Sequence, residues 1–297
     1  MIRSLTTAAV LAALVLPLPA QAVPRRAPAP AAAAAAPGPG DWRTPDPQNV
    51  LVVETTQGRI IVELEPRMAP NHVERIRTLV RQGFYDGRTF FRVIDGFMDQ
   101  TGDPQETGEG QSSLPDLVAE FTARRGPDFP MAVVDHPLDG KDAGFVGSLP
   151  VISDSATAMP LMNDGRVPVW GAYCPGVLGM ARATAPDTGN SQFFFMRATY
   201  PSLNRLYTAF GRAISGLPAI RAIKVGEPVA EPRDRMTRVR VLADIPAAER
   251  PQIRIVDTAS GWFAALVNRR RDAVGPAFTV CDVDIPVEVR DAGAAAR

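Results

Sequence analysis

The chain has few of the residues that most enzymes use for bond-making chemistry. It holds two histidines and two cysteines in 297 residues. His72 and His136 lie far apart, and neither sits in an H-E-x-x-H or a paired Cys/His spacing, which argues against a zinc site. His72, in the first turn of a predicted helix, reads as a surface residue; His136, just before Pro137, reads as a loop residue. No G-x-S-x-G occurs, so the hydrolase elbow is absent. No Rossmann fingerprint and no G-x-x-x-x-G-K-[ST] occurs either. The glycine-rich TGDPQETGEG over 101–110 has no lysine, and its acidic residues would repel phosphate. Asp282 and Asp284 alternate along a strand-like segment and read as its solvent face rather than as metal ligands. Net charge is also missing: 32 Lys+Arg balance 32 Asp+Glu. There is no long basic stripe of the kind a nucleic-acid binder carries. Arg269, Arg270 and Arg271 form a short run that reads as the solvated face of a helix. These absences leave no predicted metal, no cofactor and no nucleic-acid partner.

Long apolar runs are missing except at the start. Residues 5–18 are apolar but short for a bilayer span. Arg3 precedes them, and Ala20-Gln21-Ala22 follows as an A-x-A cleavage signal. The expectation is a secretory signal peptide over 1–22, cut after Ala22, with an uncleaved anchor as the alternative. The mature chain is then exported, with the bacterial periplasm as its compartment and no transmembrane segment left. Cys174 and Cys281 both lie in the exported part, where disulfides persist. One bond is the simplest reading of an even count. Two separate buried thiols is the other reading, since sequence cannot place two Cα atoms within bonding range.

Residues 23–48 are rich in Ala, Pro and Gly and read as a linker, with order beginning at Asn49. VLVVET, a TQG turn and RIIVELEP predict a hairpin. Val73, Ile76, Leu79 and Val80 then fall at helical spacing. Pro70 suits the first turn of that helix, and Gly83 the position past its end. The stretch 115–173 is the least legible. Its many Pro, Gly and Asp residues predict a long insertion with partial order. β-rich pieces resume with GVLGMARA, NSQFFFMRA and LYTAFGRAI. LPAIRAIK from Leu217 predicts a short second helix, and TRVRVLADI a last strand. In the tail, 247–297, Trp262, Phe263, Leu266 and Val267 share a helical face, and FTVCDVDIPVEV reads as extended. The tail is too small to stand alone; it is expected to pack on the main body at 49–246, fixed there by any Cys174–Cys281 bond. Strands in quick succession with two helices argue for a β-barrel or sandwich.

FFRVIDGFMDQTGDP sets Arg92 in an apolar strand. Arginine is rarely buried unless paired, so the residue is either a structural ion pair or a functional group. FFRVIDGFMDQTGDP, GVLGMARA, NSQFFF and LNRLYTAFGRAISG, in this order and spacing, resemble the cyclophilins, the peptidyl-prolyl cis-trans isomerases. The resemblance spans 49–246 around the insertion. It implies a mainly β fold, a closed eight-stranded antiparallel β-barrel capped by two α-helices. It implies rotation about X–Pro bonds in proline-containing peptides; the expected partners are such peptides and unfolded exported proteins, and the expected state a monomer. Carried over residue by residue, it makes Arg92 the catalytic arginine. Phe97, Met98, Phe194 and Leu203 become the proline pocket, and Gln100 meets the substrate backbone. Ala181, Arg182, Gln192 and Tyr207 line the peptide groove. Many relatives have asparagine at the Arg182 position and histidine at the Tyr207 position. Ser202 stands where the best-known eukaryotic members carry the tryptophan that helps hold cyclosporin, so the resemblance does not imply tight cyclosporin binding. Two other readings stand beside catalysis: a non-catalytic peptide-binding or chaperone module on the same fold, and an interaction protein acting through its insertion and tail.

Overall fold

Order begins earlier than composition suggests. The computed structural model describes residues 36–137 and 139–292; the predicted signal peptide and residues 23–35 of the predicted linker lie outside the described residues. Trp42–Arg43 (β1) forms a strand inside the predicted linker and pairs antiparallel with residues 255–256 near the far end of the chain. The two large side chains of that stretch explain the correction. The Arg254 guanidinium lies over the Trp42 ring at 4.4 Å, and Arg43 donates to both carboxylate oxygens of Glu63 at 2.6 and 2.8 Å.

Val50–Thr55 (β2) and Gly58–Leu64 (β3) form the expected hairpin. Pro70–Arg81 (α1) follows, burying Val73, Ile76, Leu79 and Val80 against the barrel core. Pro70 occupies its first turn, where a missing N–H costs nothing. The Ala69 side chain offers no cap. Glu120 supplies one from outside the helix, accepting from the amides of Asn71 and His72 at 3.1 Å each. His72 is therefore not a surface residue: it is 1% exposed, with Nδ1 2.6 Å from Glu120. Burial works against the charge on Glu120, but the hydrogen bonds from His72 and Asn71 outweigh it and hold the carboxyl below its usual range. A depressed folded pKa gives stability that is present above the unfolded value, near 4.3, and lost as pH falls through the folded one. Glu120→Ala is expected to cost about 1–2 kcal/mol at pH 7. In urea melts, the gap between the two proteins should close in acid; a gap that persists at pH 2 would contradict the capping role.

Arg92–Ile94 (β4) and Met98–Thr101 (β5) come next. The insertion departs from expectation. It is a five-stranded antiparallel sheet built from Ala123–Arg125 (β6), Met131–Asp135 (β7), Lys141–Val146 (β8), Leu149–Asp154 (β9) and Val167–Gly171 (β10), in the order β6-β10-β9-β8-β7. Its strands are hard to read because β8 and β9 are buried on both faces and lose the alternation that marks a half-exposed strand. Gly144, which looks like a turn residue, lies inside β8, where a Cβ would meet the Ala132 carbonyl oxygen at 2.1 Å. A buried ion pair, Arg125 to Asp142 at 2.7 Å, ties β6 to β8. The exposed His136 ring, as expected in a loop, approaches the same carboxylate at 3.0 Å.

Val177–Met180 (β11), Phe193–Met196 (β12), Ala209–Ser215 (β13), Leu217–Ala222 (α2) and Met236–Val241 (β14) complete the main body. Its eight strands run in the order β14-β2-β3-β13-β11-β12-β5-β4. The mainly β fold and the strand count match expectation. Closure by a continuous ladder does not: β4 and β14 share no ladder, and among the described residues the two ends are joined by the isolated bridges Thr89–Arg235 and Val93–Gly226 and by scattered backbone hydrogen bonds such as Phe90 N to the Asp234 carbonyl and Met236 N to the Arg88 carbonyl, each at 2.9 Å. The chain leading into β14 carries Pro228 and Pro232, which have no N–H to give a ladder.

Gln252–Val256 (β15), Gly261–Val274 (α3) and Val287–Arg290 (β16) make up the tail, with sheet order β1-β15-β16. This sheet covers the outer barrel face, where Ile253 packs with Val50, Val52 and Ile61. The Ser260 hydroxyl caps α3 by accepting from Phe263 N at 3.1 Å, and Phe263 and Val267 are buried. Cys174 and Cys281 are bonded, with their Cα atoms 5.1 Å apart. Asp282 is not on a strand. Its carboxylate accepts from the Thr279 amide at the start of a 3-10 turn over Val280–Asp282. Asp284 does face solvent. Among the described residues, no helix is long and apolar enough to cross a membrane.

Candidate active site

The site grows out of three adjacent strands. β4 pairs with β5 so that Arg92 lies opposite Gln100, and β5 pairs with β12 so that Gln100 lies opposite Phe194. Strand alternation sends Met98 and Gln100 to one face and Asp99 to the other. There Asp99 accepts from the buried Arg197 at 2.9 Å. One register thus sets a cation, an amide and an aromatic ring side by side.

A cavity of about 210 Å³ opens over these strands. It is lined by Arg92, Phe97, Met98, Gln100, Phe194 and Leu203, with Ala181, Arg182 and Tyr207 on the groove side. Nine of the ten groove and pocket residues expected from sequence therefore meet in one place. The tenth, Gln192, lies in a neighbouring cavity that shares Gln100, Ala181 and Arg182. It joins the first through its side chain, accepting from Gln100 Nε2 at 2.9 Å. Met98, Phe194 and Leu203 are buried, while the Arg92 side chain is 37% exposed. The cavity floor is thus apolar, and the Arg92 cation stands where a ligand can reach it.

The polar residues are held in a chain. Arg92 Nε donates to Glu227 at 2.6 Å, and its Nη1 donates to Gln100 Oε1 at 3.3 Å. Gln192 in turn donates to the carbonyls of Gly108 and Gly110 at 2.9 and 2.7 Å. The loop that carries these carbonyls is the glycine-rich stretch after β5. It folds around Asp103, whose carboxylate accepts from the amides of Gln105 and Thr107 at 2.7 and 2.9 Å and also from Gly108. Burial opposes that charge, but the backbone donors outweigh it and hold Asp103 below the usual carboxylate range. TGDPQETGEG thus supports a glutamine.

Aromatic packing fixes the apolar wall. Phe194 stacks on Tyr173 with centroids 6.0 Å apart and meets Tyr207 edge-on at 5.8 Å. Arg182 lies over the Tyr207 ring at 4.5 Å and over Phe121 at 5.6 Å, and it donates to the Leu206 carbonyl at 3.0 Å. Where Arg182 and Tyr207 depart from the common residues, they therefore support each other. Phe97 packs on Tyr200 at 4.4 Å. Ser202 is exposed and offers no ring. Gly179 is required here: a Cβ would stand 2.3 Å from Phe194 Cζ and 2.8 Å from Tyr173 Cε1. Gly179→Ala is expected to push Phe194 out of place and lower kcat/KM on a proline peptide about tenfold, with the fold kept. Unchanged kinetics would show that the ring position is not critical.

Sequence reasoning missed Glu227, Tyr173, Tyr200 and Phe121. Glu227 is 135 residues from Arg92, and no motif marks it. Tyr173 and Phe121 belong to the stretch read as partly ordered.

Comparison with known proteins gives the family. Residues 50–243 match the family described as cyclophilin type peptidyl-prolyl cis-trans isomerase/CLD. A probable peptidyl-prolyl cis-trans isomerase of Brucella suis is 32% identical over 192 residues, which cover 61% of this chain and 74% of that protein. Peptidyl-prolyl cis-trans isomerase-like 1 of Gibberella zeae is 33% identical over 183 residues, covering 62% and 86%. Among solved structures, cyclophilin AquaCyp293 from Hirschia baltica superposes with a TM-score of 0.79 at 33% identity, covering 86% of this chain and 95% of that one. That similarity reaches beyond the residues matched to the family.

Proposed function

This chain belongs to the cyclophilin-type peptidyl-prolyl cis-trans isomerase family, and on that premise we propose that it turns X–Pro bonds in exported polypeptides, with Arg92 stabilising the twisted amide. The observation that carries the mechanism is the arginine held at the rim of an apolar cavity by Glu227 and Gln100.

The X–Pro bond resists rotation because amide resonance gives C–N partial double-bond character, with a barrier of about 18–20 kcal/mol. No bond has to break. The enzyme must bind the twisted amide better than either planar form. On twisting, the nitrogen lone pair leaves conjugation and becomes a hydrogen-bond acceptor. A guanidinium beside the proline ring donates to it in that state and hardly at all in the planar ones. Arginine suits the task because it is all donor and always charged. Phe97, Met98, Phe194 and Leu203 clamp the ring and keep water away, which strengthens the new bond. Gln100 and Gln192 hold the flanking backbone still while the other side turns.

Export rests on the predicted signal peptide and on the disulfide, a bond that persists in oxidising compartments. The test is a proline-isomerisation assay on protein recovered from the periplasm. Its measured mass should correspond to a chain beginning at Val23, and it should speed isomerisation of a short Ala-Pro peptide. A folded but inactive protein would leave the non-catalytic binding module as the reading.

A further inference from the structure

Away from the peptide groove, a cavity of about 270 Å³ lies where main body, insertion and tail meet. Arg212 of β13, Ser148 of the turn between β8 and β9, and Asp284 of the tail all line it. It shares no lining residue with the proline cavity. Pro175 and Asp284 are among its walls, and the Cys174–Cys281 bond ties their two segments together.

Arg212 is 7% exposed. Burial lowers its pKa, yet a guanidinium does not give up its charge in the physiological range. A buried cation costs several kcal/mol unless it is paired and hydrogen-bonded. Among the described residues, its one ion-pair partner is Asp284, at 3.5 Å, and that carboxylate is 93% exposed. Such a solvated partner repays little of the cost of burial. The Ser148 hydroxyl is also underused. The residue is 2% exposed, and its Oγ has no hydrogen-bond partner among the described residues. The remaining walls, with Ile214, Leu217, Ile255 and Ile285 among them, are largely apolar.

A buried guanidinium and an unpaired hydroxyl donor lining one largely apolar cavity call for an acceptor with several oxygens and negative charge. We propose that this cavity binds a small oxyanion such as phosphate or sulfate. The planar guanidinium fork matches two oxygens of such an ion, and the serine hydroxyl, now enclosed, can donate to a third once its side chain turns toward the cavity. About 270 Å³ holds the ion together with several waters, at about 30 Å³ each. The low-dielectric walls strengthen each contact. An ion bound here touches barrel, insertion and tail at once, so it stabilises their junction by an amount that grows with the logarithm of ion concentration above Kd.

Thermal unfolding and calorimetry of the mature, oxidised protein with inorganic phosphate or sulfate, against chloride at equal ionic strength, test the site. The expected result is a melting temperature that rises with phosphate and with sulfate but not with chloride. Ser148→Ala should weaken phosphate binding about tenfold. Asp284→Asn removes a competing, repelling carboxylate at an exposed position and should tighten it about threefold. Arg212→Gln should abolish binding; if that variant does not fold, the other two decide. Equal stabilisation by chloride overturns the proposal, as do titrations in which both Ser148→Ala and Asp284→Asn behave like the wild type.

Discussion

Arg92→Ala is expected to lower kcat/KM on a short Ala-Pro peptide by about 100- to 1000-fold, the loss typical of removing a donor that acts mainly in the transition state. The fold should survive, because the side chain stands at the rim and is 37% exposed. KM should change little, since the planar substrate gains little from the guanidinium; the loss should fall on kcat. Arg92→Lys should rescue little. A lysine keeps the charge but loses the planar fork that Glu227 and Gln100 hold in place. The wild-type profile should be nearly flat between about pH 6 and 9, because the mechanism moves no proton and guanidinium groups stay charged there. A bell-shaped profile, or equal activity in wild type and Arg92→Ala, would remove the arginine from the mechanism and return it to the structural ion pair.

The second large effect concerns the tail. Cys174 and Cys281 close a loop across 107 residues of sequence. Replacing both by serine should lower the unfolding free energy by about 2–5 kcal/mol, mainly because the unfolded chain regains the freedom that the bond had removed. The loss should appear first at the tail. Phe263, Val267 and Val280 pack into the cluster that also holds Phe145 and Val169 of the insertion and Met98 and Phe194 of the site. Urea denaturation of wild type and double variant gives the difference, and a thiol count on the non-reduced protein checks the premise. Two titratable thiols, or equal midpoints, would reject the account. Isomerase activity in native buffer should persist, since neither cysteine lines the peptide cavity.

The site was more legible than the fold around it, for a local reason. Arg92, Phe97, Met98 and Gln100 sit within one hairpin, so alternation alone brings them near each other. Phe194 then joins through a single strand pairing, and Gln192, just before that strand, through its side-chain bond to Gln100. Glu227 was invisible because nothing local links it to Arg92. The surface reading of His72 failed because its partner, Glu120, is 48 residues away, in a stretch with no readable period.

By itself the sequence determined the strand-rich main body, the amphipathic α1, the helix of the tail and the residues that carry the family resemblance. Each of these is written in a short-range period or a contiguous motif. Tertiary structure alone decided that Trp42 pairs with Val256, that the insertion is a five-stranded sheet and that the barrel's two ends meet through isolated bridges and scattered hydrogen bonds rather than a ladder. It also decided that Arg212 and Ser148 share a cavity. These outcomes depend on which distant segments bury each other's surfaces and satisfy each other's backbone groups, and no local pattern encodes that choice.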